Sequence, residues 1–445
     1  MKAVFPDAKT STTASAMRGS ERVQKWVRRL TAFFVGQGLV QVLNLLTGFL
    51  LVRWLSVNDY AVYSLVTGFQ GSVGMLVELG LGSSIVALLA GRTDPHVVGG
   101  YIRSTRHFRN RFFLLLLPVI LVTFPVLTFR QGWGMPLTAG LLGAILVSLY
   151  FSSWASYYAV SLLIHHDLAL YYRTPSLLGA ARLAISFVLY LVTLLTALAS
   201  VWLSALSTVA QGWFYRRYAA RHIEEPRESD PAKNREVLSV IKPQIPSYIF
   251  FALQGQLSVI LISWFGKVNS ISEVGALGRI GQVFVMLGAF NNVIIAPAIA
   301  RISRLLLLRR YCQVLAGALL ICGVLIGSAL LVPGAFLWVL GHKYEHLRSE
   351  LAWMMASSCV GYITGVAWTM HSARKWIFSW ASWACIGTVL LTQIAALAFM
   401  DLRTTKSVLI FSLFSSLATL LVQVVLAFVG FVLVRRESSD GNGHG

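Results

Sequence analysis

Long apolar runs fill the chain from residue 32 onwards and limit its fold more than any other feature. Each run approaches the ~20 residues that a helix needs to cross the hydrocarbon core of a bilayer. Lipid offers the backbone no hydrogen-bond partner, so only helices or closed barrels span it, and the alternating strands of a barrel are not seen. We predict an all-α fold with twelve spanning helices, over residues 32–52, 63–90, 111–129, 136–156, 175–196, 198–215, 244–265, 273–298, 312–333, 350–371, 377–400 and 407–434.

Composition excludes a water-soluble protein. Of the 445 residues, 56% are hydrophobic and only 12% are charged, whereas soluble domains carry about 25% charged residues. The formal net charge of +20 would suggest nucleic-acid binding in a soluble chain. Cytoplasmic loops of membrane proteins collect Lys and Arg in the same way. We therefore expect a polytopic membrane protein without a nucleic-acid partner.

The basic residues also predict the orientation. Most of the 37 Lys and Arg residues lie in the N-terminal segment, in the even-numbered loops and in the C-terminal tail. Because cytoplasmic loops carry this excess, both termini are predicted to lie in the cytoplasm.

One polar segment divides the predicted helices into two groups of six. It lies between spans six and seven and is rich in Glu, Pro and basic residues, including Glu224 and Glu225. We interpret it as a cytoplasmic linker. The predicted organisation is an N-terminal segment at 1–31, a first half at 32–218, the linker at 219–243, a second half at 244–434 and a tail at 435–445.

The two halves begin alike. Trp54 ends span one, and a polar turn and Asp59 follow; Trp264 ends span seven, and a polar turn and Glu273 follow. In each half we predict that the acid opens the next helix, where its charge suits the helix dipole. Transporters with two repeated halves bind substrate between the halves, so we predict a central cavity. Trp and acids also recur at membrane interfaces without any repeat.

Two stretches resemble a known family. Residues 53–63 read Arg-Trp-Leu-Ser-Val-Asn-Asp-Tyr-Ala-Val-Tyr and residues 76–82 read Leu-Val-Glu-Leu-Gly-Leu-Gly. Together they resemble the second-helix signature of bacterial polysaccharide flippases, within the multidrug/oligosaccharidyl-lipid/polysaccharide exporter superfamily. Ser56 and Val57 replace the common Gly-Pro, and Ala61 replaces a Gly. Residues 275–303 resemble the eighth helix of that family. Its lipid II flippase branch usually has fourteen helices, which argues against that branch.

The resemblance implies a flippase of the bacterial inner membrane. Such a protein moves a polyprenyl-pyrophosphate-linked oligosaccharide across the membrane by alternating access, for lipopolysaccharide or exopolysaccharide synthesis. Its partners would be the lipid-linked oligosaccharide, membrane lipids and a polysaccharide polymerase with other biosynthesis proteins.

Two other functions stay open. A multidrug exporter of small cations is disfavoured, because its cavity should be acidic and this chain places two Arg and one Glu inside its spans. A membrane polymerase or glycosyltransferase is disfavoured because the predicted outer loops hold few carboxylates. The sequence has no P-loop, nucleophile elbow or zinc-protease motif. We expect no enzyme activity, no cofactor and no metal site.

Charges at membrane depth are costly and are candidate site residues. Arg279 in span eight and Arg182 in span five are predicted to bind the phosphates of such a substrate, because a guanidinium offers bidentate donors. Either could instead reach the headgroups, and Arg279 could pair with Glu273. Glu78 in span two could pair with a buried Arg, couple transport to an ion, or stay protonated.

Amide side chains form the second set of candidates. Gln37, Gln41 and Asn44 follow a spacing of four and then three residues, so they share one face of span one. Lipid would penalise this face, so we expect it to point into the bundle. Gln254 in span seven and Gln282 in span eight are further candidates. Such amides can meet sugar hydroxyls or join neighbouring helices.

Overall fold

The structure is a computed structural model that describes residues 35–441, apart from residues 80, 82–84, 86–87, 90–93, 166, 227, 243–244, 256–267, 292–294, 296–297, 300–301, 303, 375, 377 and 403. All regular structure in this part of the chain is helical, which confirms the all-α prediction. The helices are α1 Val35–Trp54, α2 Val57–Glu78, α3 Pro95–Arg130, α4 Met135–Ile164, α5 Leu168–Leu191, α6 Ala197–Ala219, α7 Pro231–Ile241, α8 Ile245–Gly255, α9 Val268–Phe290, α10 Arg304–Leu331, α11 Pro333–Leu340, α12 Arg348–Ala373, α13 Ser379–Phe399 and α14 Thr405–Gly441.

Nine of the described helices are long and apolar enough to cross a membrane, namely α1, α3, α4, α5, α9, α10, α12, α13 and α14. The predicted spans 63–90 and 198–215 correspond to α2 and α6, which have 22 and 23 residues and are less apolar. The predicted span 244–265 overlaps α8, and its last ten residues lie outside the described part. The chain is therefore a polytopic, all-helical membrane protein.

Helix α3 is longer than the predicted span 111–129. Asp94 caps it by accepting hydrogen bonds from the backbone N–H groups of His96 and Val97, at 2.9 and 3.4 Å. Pro95 then occupies the first helical position, where no N–H is needed. Residues that the sequence assigned to a cytoplasmic loop, Arg109 among them, lie within this helix. The assignment of Arg109 to a loop is wrong, because the residue lies within α3 and is only 1% exposed.

Helices α2 and α9 pack directly against each other and join the two predicted halves. The approach is closest at Gly275, where an added Cβ would lie 1.7 Å from Ser64 Oγ and 2.7 Å from Ser64 Cβ. The hydroxyl of Tyr60 donates a hydrogen bond to the Gly275 carbonyl, at 3.2 Å. Only glycine, which has no Cβ, allows the two helices to approach this closely.

Asp59 and Glu273 make corresponding contacts. Asp59 accepts a hydrogen bond from the backbone N–H of Ala197, the first residue of α6, at 3.2 Å. Glu273 accepts a hydrogen bond from the hydroxyl of Thr405, the first residue of α14. The prediction that Glu273 opens its helix is wrong, because α9 begins at Val268. Each acid nevertheless holds the start of a later helix, and this shared relation supports the internal repeat.

The predicted linker 219–243 is docked on the first half. It contains α7, which packs against α3, and Glu236 of α7 accepts a hydrogen bond from Tyr101 of α3. The preceding loop contacts α3 as well: Glu225 lies 3.5 Å from Arg106, and an added Cβ on Gly99 would lie 2.1 Å from the Glu224 carbonyl oxygen. The segment is thus part of the folded first half rather than a free connection.

Candidate functional site

A polar cavity of about 250 Å³ lies where α1, α2, α5 and α9 meet. It includes residues from both predicted halves. Five of the seven predicted substrate-binding residues line it. The lining residues are Gln41, Asn44, Thr47 and Gly48 of α1, Tyr63 of α2, Arg182 of α5, and Arg279, Gln282 and Val285 of α9.

Arg279 is held by two tyrosines of α2. Its Nε donates a hydrogen bond to the hydroxyl of Tyr60 at 3.2 Å, and its guanidinium carbon lies 5.4 Å from the centre of the Tyr63 ring. An added Cβ on Gly48 would lie 3.3 Å from Arg279 Cδ, so the glycine leaves room for this side chain. Among the described residues no carboxylate forms an ion pair with Arg279. The alternative pairing with Glu273 is wrong, since Glu273 contacts His346 and Thr405.

Arg182 faces the same cavity from α5. Its Nη2 donates a hydrogen bond to Asn44 Oδ1 at 2.9 Å, whereas its Nε is buried and has no hydrogen-bond partner within the described part of the protein. A buried donor left unsatisfied costs about 1–3 kcal/mol, and more for a charged group. This donor is therefore available to a ligand or a water molecule. No acidic side chain lines the cavity as described, so the site is cationic.

Two predicted amides lie elsewhere. Gln37 is half-buried on α1, one turn before Gln41, and is not part of the cavity lining. Gln254 of α8 accepts a hydrogen bond from Gln393 of α13 at 2.6 Å, and Gln393 also donates to Ser415 of α14 at 3.1 Å. Gln254 thus joins helices, which is the second of the two roles that the sequence allowed.

Glu78 pairs with a buried arginine, as one of its three predicted alternatives required. Arg109 Nη2 lies 3.0 Å from Glu78 Oε1, and Ser156 donates to the same oxygen at 2.8 Å. Arg109 also donates to the carbonyl of Ser153 at 2.8 Å. A buried charge needs such a partner. Glu78 ends α2 and does not line the cavity, and its coupling role stays a prediction.

Tyr60 and Tyr63 are the partners of Arg279 that sequence reasoning missed. They lie three residues apart in the signature at 53–63, a spacing that places them on one helix face. That spacing could have indicated a shared partner. It could not identify Arg279, because the contact depends on how α2 and α9 pack.

Two histidines pack against each other near residue 165. The ring of His165 stacks on that of His222 at 4.6 Å, and His222 lies 3.2 Å from Asp167; His166 is outside the described residues. Within the described ranges, no group of three or more His, Cys, Asp and Glu side chains could hold a metal ion.

Solved transporter structures share this architecture at low sequence identity. The lipid II flippase MurJ in an inward closed conformation is 12% identical, with a TM-score of 0.66 over 90% of this chain and 89% of MurJ. A multidrug resistance MATE family transporter of the MOP superfamily, in its inward-facing conformation, is 14% identical, with a TM-score of 0.62 over 91% of this chain and 96% of that one. The eukaryotic MATE transporter AtDTX14 is 10% identical, with a TM-score of 0.57 over 94% of this chain and 98% of its own.

The chain has the fold of MOP-superfamily transporters. No protein-family model matches the sequence, and no curated protein matches it. At these identities the likeness concerns the fold alone.

Proposed function

We propose that the chain is a flippase that moves a lipid-linked oligosaccharide diphosphate across the bacterial inner membrane by alternating access. One observation carries the proposal: Arg182 and Arg279 line one cavity, come from different halves and have no acidic partner among the described residues. A diphosphate placed between them would contact both halves. Such a ligand could therefore couple its own binding to the relative movement of the halves.

The chemistry of the cavity suits the head of such a lipid. Each guanidinium offers paired donors to phosphate oxygens, and burial strengthens these charge-assisted bonds. Gln41, Gln282 and Asn44 supply donors and acceptors for sugar hydroxyls beside them. The volume of about 250 Å³ is below the ~300–1,000 Å³ of pockets for drug-sized ligands. In this conformation the cavity therefore has room for the diphosphate and adjoining sugar, and the rest of an oligosaccharide requires further opening.

Contacts between the halves on the predicted outer side support alternating access. Arg53, at the end of α1, donates a hydrogen bond to the carbonyl of Trp338 in α11, and its guanidinium carbon lies 4.6 Å from the centre of the Trp338 ring. Lys343 donates to the carbonyls of Arg53 and Leu55, at 3.1 and 2.5 Å. We call Arg53, Trp338 and Lys343 the outer clasp. Substrate release to the outside would require these few polar contacts to separate.

A cationic cavity disfavours the multidrug-exporter alternative, since it would repel small cations.

In the proposal both termini are cytoplasmic, the halves are 32–218 and 244–434, and an ion gradient or downstream consumption supplies the energy. Glu78 serves mainly to hold Arg109 within the first half. A polymerase would be a partner that consumes the flipped lipid.

The test uses a strain that lacks the gene and is complemented with wild type, Arg182→Ala, Arg279→Ala or Arg310→Ala. Arg310 is the matched control, because it is exposed on α10 and its hydrogen bond goes to Gln313 of the same helix. Polyprenyl lipids are extracted and their sugars analysed by mass spectrometry. We expect complete lipid-linked units to accumulate without the gene and with the two cavity variants, but not with Arg310→Ala.

Two results would contradict the proposal. Single units that reach the outer leaflet but never lengthen would indicate a polymerase. Normal export by both cavity variants, at normal protein levels, would remove the two arginines from the mechanism.

A further inference from the structure

Helices α1 and α5 run side by side in the same direction and form a seam. The seam ends at an aromatic cluster, where Trp54 stacks on Tyr190 with ring centres 5.0 Å apart and also contacts Phe187. On the predicted orientation this is the outer end. From the cytoplasmic to the outer end, the paired residues are Gly36 with Tyr172, Leu43 with Gly179, Asn44 with Arg182, and Trp54 with Tyr190.

An apolar groove of about 460 Å³ follows the cytoplasmic part of this seam. It extends for about 12 Å along α1, from the helical rise per residue. It ends where the polar cavity begins, because Ala180 lines the groove and Arg182 lines the cavity. The groove is lined by Val35, Gly36, Leu39, Leu43, Ala169, Tyr172, Arg173, Ser176, Leu177 and Ala180.

The groove lies on the outer surface of the helix bundle. Leu39 and Leu177 are 48% and 58% exposed, so in a bilayer they face hydrocarbon chains. The seam therefore has an apolar site open to lipid on one side and a cationic cavity on the other. Between the two sites, Arg182 donates a hydrogen bond to Asn44 across the seam.

Arginines mark both ends of the groove. Arg173 is exposed at its cytoplasmic end, and Arg182 lies beyond its inner end with a buried Nε that has no partner within the described residues. An apolar groove that leads to a cation with one unsatisfied donor is complementary to one class of molecule: an amphiphile whose hydrocarbon chain joins directly to an anionic head. An ordinary surface groove for bulk lipid needs no cation at its inner end.

We propose that the groove between α1 and α5 binds the first part of the hydrocarbon tail of a lipid diphosphate, while the diphosphate reaches Arg182 through the seam. This inference rests on the proposed function, because it assumes a diphosphate in the cavity. The remainder of a long tail stays in the bilayer. The seam then acts as the lateral entrance from the cytoplasmic leaflet, and breaking the Asn44–Arg182 bond admits the head.

The test measures the binding of three probes to the purified full-length protein in detergent: inorganic pyrophosphate, geranyl diphosphate and geranylgeranyl diphosphate. Leu177→Trp fills the groove from α5, and Leu39→Trp fills it from α1. Leu391→Trp is the matched control, because Leu391 is 71% exposed on α13 in the other half. We expect wild type to bind the three probes more tightly as their hydrocarbon chain lengthens. Either groove variant should weaken geranylgeranyl diphosphate binding at least tenfold and pyrophosphate binding less than twofold, and Leu391→Trp should change neither.

The outcomes separate this inference from the proposed function. If a longer hydrocarbon chain raises affinity as much in both groove variants as in wild type, the tail binds elsewhere and the inference is wrong. Pyrophosphate binding that depends on Arg182 and Arg279 would still support the proposed function in that case. If phosphatidylglycerol displaces geranylgeranyl diphosphate from wild type but not from the groove variants, the groove takes any lipid and the assigned occupant is wrong. If pyrophosphate does not bind to wild type, or binds to Arg182→Ala and Arg279→Ala as tightly as to wild type, the proposed function itself is wrong.

Discussion

Gly275→Ala tests the contact between α2 and α9 that positions Arg279. The added Cβ would lie 1.7 Å from Ser64 Oγ and 2.7 Å from Ser64 Cβ. The hydroxyl can rotate away, but the second contact requires the helices to separate. Overpacking of this kind costs about 1–3 kcal/mol, and losing the bond from Tyr60 to the Gly275 carbonyl adds about 0.5–1.5 kcal/mol. Alanine favours a helix over glycine by about 1 kcal/mol, which offsets part of this cost. We therefore expect the variant to lose about 0.5–3.5 kcal/mol of unfolding free energy.

The assay is unfolding in mixed detergent micelles, combined with the lipid-accumulation measurement. Gly278→Ala is the matched control, because it lies one turn away on α9 and an added Cβ there meets no atom within 4 Å. Since alanine favours a helix over glycine by about 1 kcal/mol, this control should be neutral or stabilising. Equal stability and equal export of the two variants would refute the described contact.

A second variant tests the cause of the loss. Ser64→Gly removes the two atoms that would lie within 3 Å of an added Cβ on Gly275. The double variant Ser64→Gly/Gly275→Ala should therefore be more stable than the sum of the two single effects, because residues in contact couple by about 0.5–3 kcal/mol. Simple additivity would show that the helices do not meet at these residues.

Three further predictions concern the charged groups. Glu78→Ala leaves the buried Arg109 without its carboxylate. Because Glu78 is half exposed, we expect a loss of unfolding free energy at the lower end of the ~3–5 kcal/mol range for broken buried pairs. The double variant Glu78→Ala/Arg109→Leu should recover most of this free energy, and a double variant less stable than either single one would contradict this. Arg279→Lys should bind pyrophosphate more weakly than wild type but more tightly than Arg279→Ala, because it keeps the charge and loses the bidentate geometry; binding equal to Arg279→Ala would show that charge is not the main contribution. Burial lowers the pKa of Lys343 from its usual 10.5, so the unfolded chain binds more protons than the folded one in the interval below 10.5. The free energy of unfolding should therefore rise with pH in that interval. Lys343→Met should remove this rise, and an unchanged profile of stability against pH would show that another group causes it.

The class of fold and five of the nine residues that line the cavity can be predicted from the sequence. Apolar runs of membrane length can only be helical, and polar side chains within them must avoid lipid. Both constraints act locally, so they can be applied residue by residue. They identified Gln41, Asn44, Arg182, Gln282 and Arg279 as inward-facing before any packing was known. The same local argument could not separate cavity amides from amides that join helices, and so it placed Gln37 and Gln254 with the others.

Which of these groups contact one another depends on how the helices pack. Arg279 contacts Tyr60 and Tyr63 because α2 and α9 approach at Gly275, and Glu78 contacts Arg109 because α3 extends well beyond its apolar run. The partners in these pairs lie on different helices, so no periodicity within one helix predicts them. The physical reason is that hydropathy limits how a helix faces lipid, whereas the fit of side chains between helices determines its neighbours.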